Sequence, residues 1–365
     1  MDAGPIAPAS PFHAGEQAMQ TRAGVRARMD QRAARAIRDF MPDQHRSFFE
    51  SLPFLPIALG GEDGWPVATI LTGPPGFVSS PDPRALRVAA LPSAADPAAA
   101  RFRVGAPVGL LGIDLAARRR NRANGVIAQL DTQGFGIAVA QSFGNCAQYI
   151  QARDVEPATD GHPAEAVWER QSGVDKAASD LIASADTFFV ASGSGAGMDM
   201  SHRGGRPSFV RVDADVLTVP DFAGNRYFNT LGNFVLSDRA AVLFPDFSTG
   251  DLLHLAGRVE IVDDGVEARR FPGAERLWRV HVSSGWRGRG ALPLRWGPPA
   301  YAPTTLATGQ WAKAAIIDPA RANLKEPPVH PGGRDEARGH AHAAGGGAGR
   351  APAPGDRAPP GRHDL

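Results

Sequence analysis

The stretch Gly73-Pro74-Pro75-Gly76-Phe77-Val78 returns later in the chain as Gly205-Arg206-Pro207-Ser208-Phe209-Val210, and this return decides the fold. Residues 110–115 match 242–247 at the same offset of 132 residues. A constant offset of this length is the size of a domain rather than of a short structural repeat. The sequence therefore predicts one fold present twice in tandem.

Composition limits the class of protein. The chain has 365 residues, a formal net charge of +1 and a single cysteine, Cys146. This charge gives no argument for nucleic-acid or membrane partners, and one cysteine excludes an internal disulfide. The sequence has no zinc-type Cys/His spacing, no signal-peptide pattern and no apolar run of about eighteen residues, so we expect a cytoplasmic protein without a metal site.

Short β-like runs alternate with turn clusters, which predicts a mainly β chain with flanking helices (α+β) and small antiparallel barrels. Residues 330–365 contain no Val, Ile, Phe, Tyr or Trp, so this tail cannot bury enough apolar surface to fold. The predicted organisation is an N-terminal helical segment 1–47, barrel 1 at 48–145, a helical connector 146–186, barrel 2 at 187–300, an irregular extension 301–329 and a disordered tail 330–365.

The two copies differ in residues suited to a phosphate. In the second copy, Arg206 and Arg211 bracket a predicted strand, and Asn225 and Arg226 open a predicted helix that extends to about residue 236. Guanidinium groups and helix N-terminal amides are natural partners of a phosphate. The first copy has a proline and a serine at the positions of the two bracketing arginines, so the sequence predicts phosphate binding in copy two only.

Three segments of the second copy, 206–211, 219–221 and 224–226, resemble the flavin-phosphate segments of the pyridoxamine 5'-phosphate oxidase-like split-barrel superfamily. Phe12-His13-x-Gly15-Glu16 and the arginine-rich run 118–125 resemble a two-barrel bacterial branch that binds flavin nucleotides. The resemblance implies tandem split β-barrels that form an intramolecular pseudo-dimer, with FMN in the cleft between them.

The resemblance also implies roles for particular residues. The residues implied to bind the cofactor are Arg206, Arg211, Asn225 and Arg226 at the phosphate, Val219, Pro220 and Asp221 beside the isoalloxazine, and Arg118, Arg120 and Asn124 on the opposite wall. A solvated basic turn is the alternative interpretation of the arginine run. His202 is the catalytic candidate, as a base or substrate ligand near the flavin, and a turn histidine bonded to the backbone is the alternative interpretation.

The sequence departs from the family at two places. Val219-Pro220 stands where the family has Tyr-Thr, and the C-terminal signature of true pyridoxamine phosphate oxidases is absent. The resemblance therefore implies an FMN-binding flavoprotein and oxidoreductase, but not oxidation of a vitamin B6 phosphate. The alternatives are a non-catalytic flavin carrier and a haem-binding split barrel, with FAD or a deazaflavin as other flavin ligands.

The expected partners are a small-molecule substrate or electron donor, a second copy in a homodimer, and a separate reductase. Longer relatives of the two-barrel branch continue into a ferredoxin-reductase-like module, whereas this chain continues into the low-complexity tail. We therefore expect a truncation or a shifted reading frame near residues 320–330.

Overall fold

The computed structural model describes residues 10–61, 63–159, 166–262 and 265–311. The α-helices in these ranges are α1 Ala14–Arg22, α2 Arg26–Ala36, α3 Asp43–Glu50, α4 Lys176–Ser184, α5 Asn229–Leu236, α6 Gly265–Arg269 and α7 Pro303–Leu306. The strands are β1 Phe54–Gly60, β2 Pro66–Thr72, β3 Val78–Asp82, β4 Ala85–Val88, β5 Pro107–Asp114, β6 Arg119–Asp131, β7 Gly134–Gly144, β8 Val155–Pro157, β9 Val167–Gln171, β10 Thr187–Ser194, β11 Gly197–Gly204, β12 Arg211–Asp213, β13 Val216–Phe222, β14 Arg239–Pro245, β15 Leu252–Val262, β16 Ala274–Arg289 and β17 Leu294–Trp296.

Two antiparallel sheets have the same strand order. The first runs β2-β1-β5-β6-β7-β4-β3, and the second runs β11-β10-β14-β15-β16-β13-β12, with β9 added against β16. The registers also agree at the offset read from the sequence, because Leu110 pairs with Ala123 in the first sheet and Val242 pairs with Leu255 in the second. The predicted fold class, mainly β with flanking helices in a tandem arrangement, is confirmed.

The two halves pack through strands that are buried on both faces. In β1, Leu55, Ile57 and Leu59 enter the core of the first sheet, while Phe54 and Ala58 enter a cluster shared with the second sheet. The corresponding strand β10 divides its residues between its own core and the shared cluster in the same way. Burial on both faces explains why these strands are nearly continuous apolar runs, and it makes the halves an intramolecular pseudo-dimer.

The sequence predicted a helical connector over residues 146–186. This prediction is wrong for part of the interval. It contains α4 but also β8 and β9, which pair with β17 and the edge of β16. Strands of three to five residues carry too short a pattern to be recognised without their partners. Residues 312–329 of the extension and the tail 330–365 lie outside the described residues. In the part of the chain that is described, no helix is long and apolar enough to cross a membrane.

Helices α1 and α5 approach each other at two glycines. A Cβ atom added to Gly15 would lie 2.0 Å from the carbonyl oxygen of Gly232, and one added to Gly232 would lie 2.6 Å from Cγ of Glu16. Contacts this short require backbone movement. The glycines therefore fix α1 directly on α5, and α1 carries little freedom to shift.

We predict that Gly232→Ala destabilises the fold, because the new methyl group overpacks the α1–α5 contact. Overpacking of this kind costs about 1–3 kcal/mol in the free energy of unfolding, which urea denaturation would measure. Gly195→Ala is the matched control, since a Cβ at Gly195 meets nothing within 4 Å. Equal unfolding midpoints for the two variants would contradict the prediction.

Candidate functional site

A cleft opens where the first residues of β6, in the first half, meet β11, β13 and the first turn of α5, in the second half. Its volume is about 110 Å³. Typical pockets for whole organic ligands are larger, at roughly 300–1,000 Å³. The charged side chains that line the cleft are Arg120, Arg122, Arg203, Arg226, Asp221 and Glu275.

The loop before α5 has an unusual backbone. Arg226 and Phe228 have φ values of 65° and 62°, in the left-handed region, so α5 begins at Asn229. The expectation that Asn225 and Arg226 open this helix is therefore wrong, because left-handed residues cannot continue a right-handed helix. No side chain caps α5, and its first residues, from Asn229 to Leu231, line the cleft. Uncapped amides at a helix N-terminus attract an anion.

Arg120 brings a positive charge to the cleft. Its Nε donates to the carbonyl of Cys146 at 2.7 Å, and its terminal nitrogens donate to Gln148 and to His202. Among the described residues it forms an ion pair with no carboxylate. Burial, with the neighbouring Arg122, lowers the pKa of Arg120 to about 9. The guanidinium therefore stays charged at neutral pH and lacks a negative partner.

The other arginines at the cleft are paired. Asp221 accepts from Arg203 at 2.8 Å and from Arg276 at 2.7 Å, and Glu275 accepts from Arg226. Asp199 lies 3.2 Å from Arg122. The groups at and below the cleft are five arginines, Arg120, Arg122, Arg203, Arg226 and Arg276, and four carboxyl groups, Glu16, Asp199, Asp221 and Glu275. This part of the molecule is therefore positively charged.

Several buried donors around the cleft lack a hydrogen-bond partner. They include Nδ2 of Asn145, Nε2 of His202 and Nε of Arg203. Leaving a buried donor unsatisfied costs about 1–3 kcal/mol. The donors, the unpaired charge of Arg120 and the α5 amides together fit a phosphate-sized anion. A volume of about 110 Å³ is enough for such an anion and small for a whole organic ligand.

His202 is held as a neutral imidazole. Burial, followed by the charges of Arg120 and Arg203, lowers its pKa well below the usual 6.5. Because an arginine can only donate, the 3.0 Å contact from Arg120 makes Nδ1 of His202 the acceptor and places the proton on Nε2. A neutral histidine with this bonding orients Arg120 and is a poor proton donor at neutral pH.

The structure brings together some of the residues predicted from the sequence. Those that line the cleft are Arg120, Pro220, Asp221, Asn225, Arg226 and the catalytic candidate His202. They come from both halves of the chain, as the pseudo-dimer interpretation expected.

The other predicted site residues do not line the cleft. Arg211 pairs with Asp213 and Glu267 and lies over the Trp311 ring at 4.5 Å. Val219 is 1% exposed and belongs to the core of the second half. The remaining three make structural contacts: Arg206 reaches the Thr308 carbonyl at 3.5 Å, Arg118 donates to the carbonyls of Ile150 and Ala300, and Asn124 donates to Asp199.

The sequence analysis missed several residues of the cleft. Among them are Arg122, Arg203, Tyr149, Thr230 and Glu275. Arg122 had a usable signal, because residues two apart on a strand share a face, so Arg120 and Arg122 had to point to one side of β6. No sequence pattern indicates a binding role for the other four, which the fold brings to the cleft from separate segments of the chain.

A second cleft occupies the pseudo-equivalent position on the other side of the interface. At the offset of 132 residues, Leu252 and Leu71 stand where Arg120 and Arg203 line the first cleft. Its volume is about 200 Å³, and its one charged lining residue in the described ranges is Asp96. The positive charge is therefore confined to one of two similar positions.

Comparisons with known proteins give limited similarity. No protein-family model and no curated protein matches the sequence. A FAD-binding protein from Mesorhizobium loti is similar at 11% identity over 33% of this chain and 98% of its own, with a TM-score of 0.25. The FAD-binding protein of Mycobacterium smegmatis is similar at 10% identity over 33% of this chain and 98% of its own, with a TM-score of 0.23. HupZ of Group A Streptococcus is similar at 17% identity over 30% of this chain and 89% of its own, with a TM-score of 0.25. At these TM-scores the likeness says nothing about function.

Proposed function

We propose that the chain is an FMN-binding flavoprotein whose arginine-lined cleft holds the phosphate of the cofactor. The observation that carries the proposal is the Arg120 guanidinium, which remains charged and forms no ion pair with a carboxylate of the described residues. A phosphate dianion would supply that partner and accept from the first amides of α5. Segments 219–221 and 224–226 resemble flavin-phosphate segments and contribute residues to the cleft, which supports a flavin rather than another phosphate ester.

The chain's own residues would bind and orient the cofactor. Arg120 and the first turn of α5 would hold the phosphate, and Arg226 would approach it from the loop. At the mouth, Tyr149 and Phe222 lie with ring centroids 5.0 Å apart and offer an aromatic surface to a planar ring system. Bound FMN would supply electron transfer to or from a small-molecule substrate, while the protein provides orientation.

A flavin carrier is the second candidate, and the acid–base character of the cleft favours it. His202 is neutral and bonded to Arg120, and Asp221 accepts hydrogen bonds from two arginines, so both side chains are engaged in structural contacts. An oxidoreductase that transfers electrons only would also fit these residues. The two functions differ in whether the bound flavin turns over.

The proposed function is tested by adding FMN or riboflavin to the purified chain, removing the excess and recording the visible spectrum. We expect one FMN retained per chain and affinity for riboflavin lower by roughly tenfold or more, since charge-assisted hydrogen bonds to the phosphate contribute about 1.5–3 kcal/mol. Equal retention of both compounds, retention of neither, or a Soret band of haem in the purified protein would contradict the proposal.

Turnover separates the oxidoreductase from the carrier. The FMN-loaded chain would be mixed with NADH or NADPH in air, and oxidation of the nicotinamide followed by absorbance. A rate well above that of the same concentration of free FMN would support an enzyme. A rate no higher than that of free FMN would favour the carrier.

A further inference from the structure

Two buried carboxyl groups lie directly beneath the cleft. Glu16 of α1 is 4% exposed and Asp199 of β11 is 6% exposed. Oε2 of Glu16 accepts from the backbone amide of His13 at 2.9 Å, and Oε1 contacts the Asn229 amide group. Asn229 is the first residue of α5, so Glu16 holds the turn that presents amides to the cleft.

Asp199 connects the same region to the arginines. It accepts from Asn124 at 2.6 Å and from Asn233 of α5 at 3.1 Å, and it forms the ion pair with Arg122. Arg122 in turn donates to Oγ of Ser201, which also accepts from Thr230 at 2.8 Å. A continuous polar network therefore runs from the two carboxyl groups to the floor of the cleft.

The charges facing Glu16 come from three elements. At the N-cap of its own helix, Nε2 of His13 lies 3.6 Å from Oε2, and burial lowers the pKa of this histidine. β11 contributes the negative charge of Asp199, and β6 contributes the positive charge of Arg122, while α5 contributes only the neutral Asn229 and Asn233. Burial first, and then Asp199, raises the pKa of Glu16 to about 8.

We propose that Glu16 is a proton-linked positioning residue for the anion cleft: as a neutral acid it fixes the first turn of α5, and its proton and an anion in the cleft bind cooperatively. In the structure Nδ2 of Asn229 donates to Oε1, and a protonated Oε1 would instead donate to Oδ1 of Asn229 after a half-turn of the amide group. Ionisation adds a second negative charge beside Asp199, below the place where an anion binds. The inference deepens the proposed function, because it concerns the same cleft.

Binding reciprocity sets the expected behaviour. If ionised Glu16 weakens anion binding, then a bound anion makes Glu16 harder to ionise, and binding at pH 8 takes up protons. The α1–α5 contact at Gly15 and Gly232 leaves little room for the helix to relieve the repulsion by moving.

The test uses sulfate as the anion alone, because it remains a dianion across the whole pH range. Calorimetric titrations of the full chain at pH 6.5, 7.5 and 8.5 would give the affinity, and two buffers of different ionisation enthalpy would count the protons taken up. We expect wild-type affinity to fall by about tenfold across this range, within the span of typical coupling energies. Glu16→Gln mimics the neutral acid, so it should keep the low-pH affinity, lose the pH dependence and take up no proton.

Asp96→Asn is the matched control. Asp96 is also a buried carboxyl with a raised pKa, but it lies in the first half and bonds to Thr69 and to the amide of Ala98. This variant should retain the wild-type pH dependence of sulfate binding. Parallel pH profiles for wild type and Glu16→Gln, or no sulfate binding at any pH, would overturn the inference. If sulfate binds with the expected pH profile but FMN does not bind, the proton-linked role of Glu16 is supported and only the proposed FMN-binding function is rejected.

Discussion

Arg120→Met is expected to weaken FMN binding by roughly 10- to 100-fold, because each hydrogen bond from a charged group contributes about 1.5–3 kcal/mol. Methionine keeps much of the apolar length of the side chain and removes the charge that lacks a carboxylate partner. Riboflavin affinity should change little, since that compound has no phosphate. Flavin fluorescence quenching on titration would measure both affinities.

Arg206→Met and Arg211→Met provide a direct contrast. The sequence analysis placed these two arginines at the phosphate, whereas the structure places them at the Thr308 carbonyl and over Trp311. We expect FMN affinity close to wild type in both variants. If they lose as much affinity as Arg120→Met, the phosphate lies elsewhere and the cleft is not its site.

Glu16→Gln is expected to make the chain more stable than wild type at pH 8, by an amount on the order of 4 kcal/mol. The unfolded glutamate ionises near pH 4.3, whereas the folded one ionises near 8. Between these values the unfolded state holds fewer protons, so the wild-type free energy of unfolding falls as pH rises, by up to about 1.4 kcal/mol per pH unit. The glutamine has no proton to lose, so its curve lacks this decline.

Urea unfolding at intervals from pH 5 to 9 would measure the difference between the two curves, and subtraction removes titrations that both proteins share. Asp96→Asn tests whether the decline up to pH 8 comes from Glu16, since the pKa of Asp96 is raised only to about 6. Its difference from wild type should stop growing near pH 6 rather than near pH 8. Parallel curves for wild type and Glu16→Gln would show that burial does not raise the pKa of Glu16.

The tandem arrangement could be predicted from the sequence, because it depends on spacing. The offset of 132 residues between similar segments indicated two similar halves, and the alternation of short β-like runs with turn clusters indicated a mainly β fold. The short strands β8 and β9 could not be predicted. They exist because β17 and the edge of β16 are available to pair with them.

The candidate site was predicted in part. The structure places Asn225 and Arg226 in the same cleft as Arg120 of the first half, although α5 starts only at Asn229. Arg211 was placed in the site on chemical suitability, but Asp213 and Glu267 already neutralise it. Whether an arginine is free to bind an anion depends on which carboxylates fold next to it.

From the sequence, a mainly β chain of two similar halves could be predicted, and the segments around residues 120 and 225 could be proposed as parts of a binding site. Periodicity, turn residues and repeat spacing are properties of the sequence, and they can be recognised before the fold is known. Only the folded chain shows that Arg120 makes no ion pair with a carboxylate in the described ranges, and that Glu16 lies beside the first turn of α5. Burial and charge balance arise from contacts between residues far apart in the chain, such as Glu16 and Asn229.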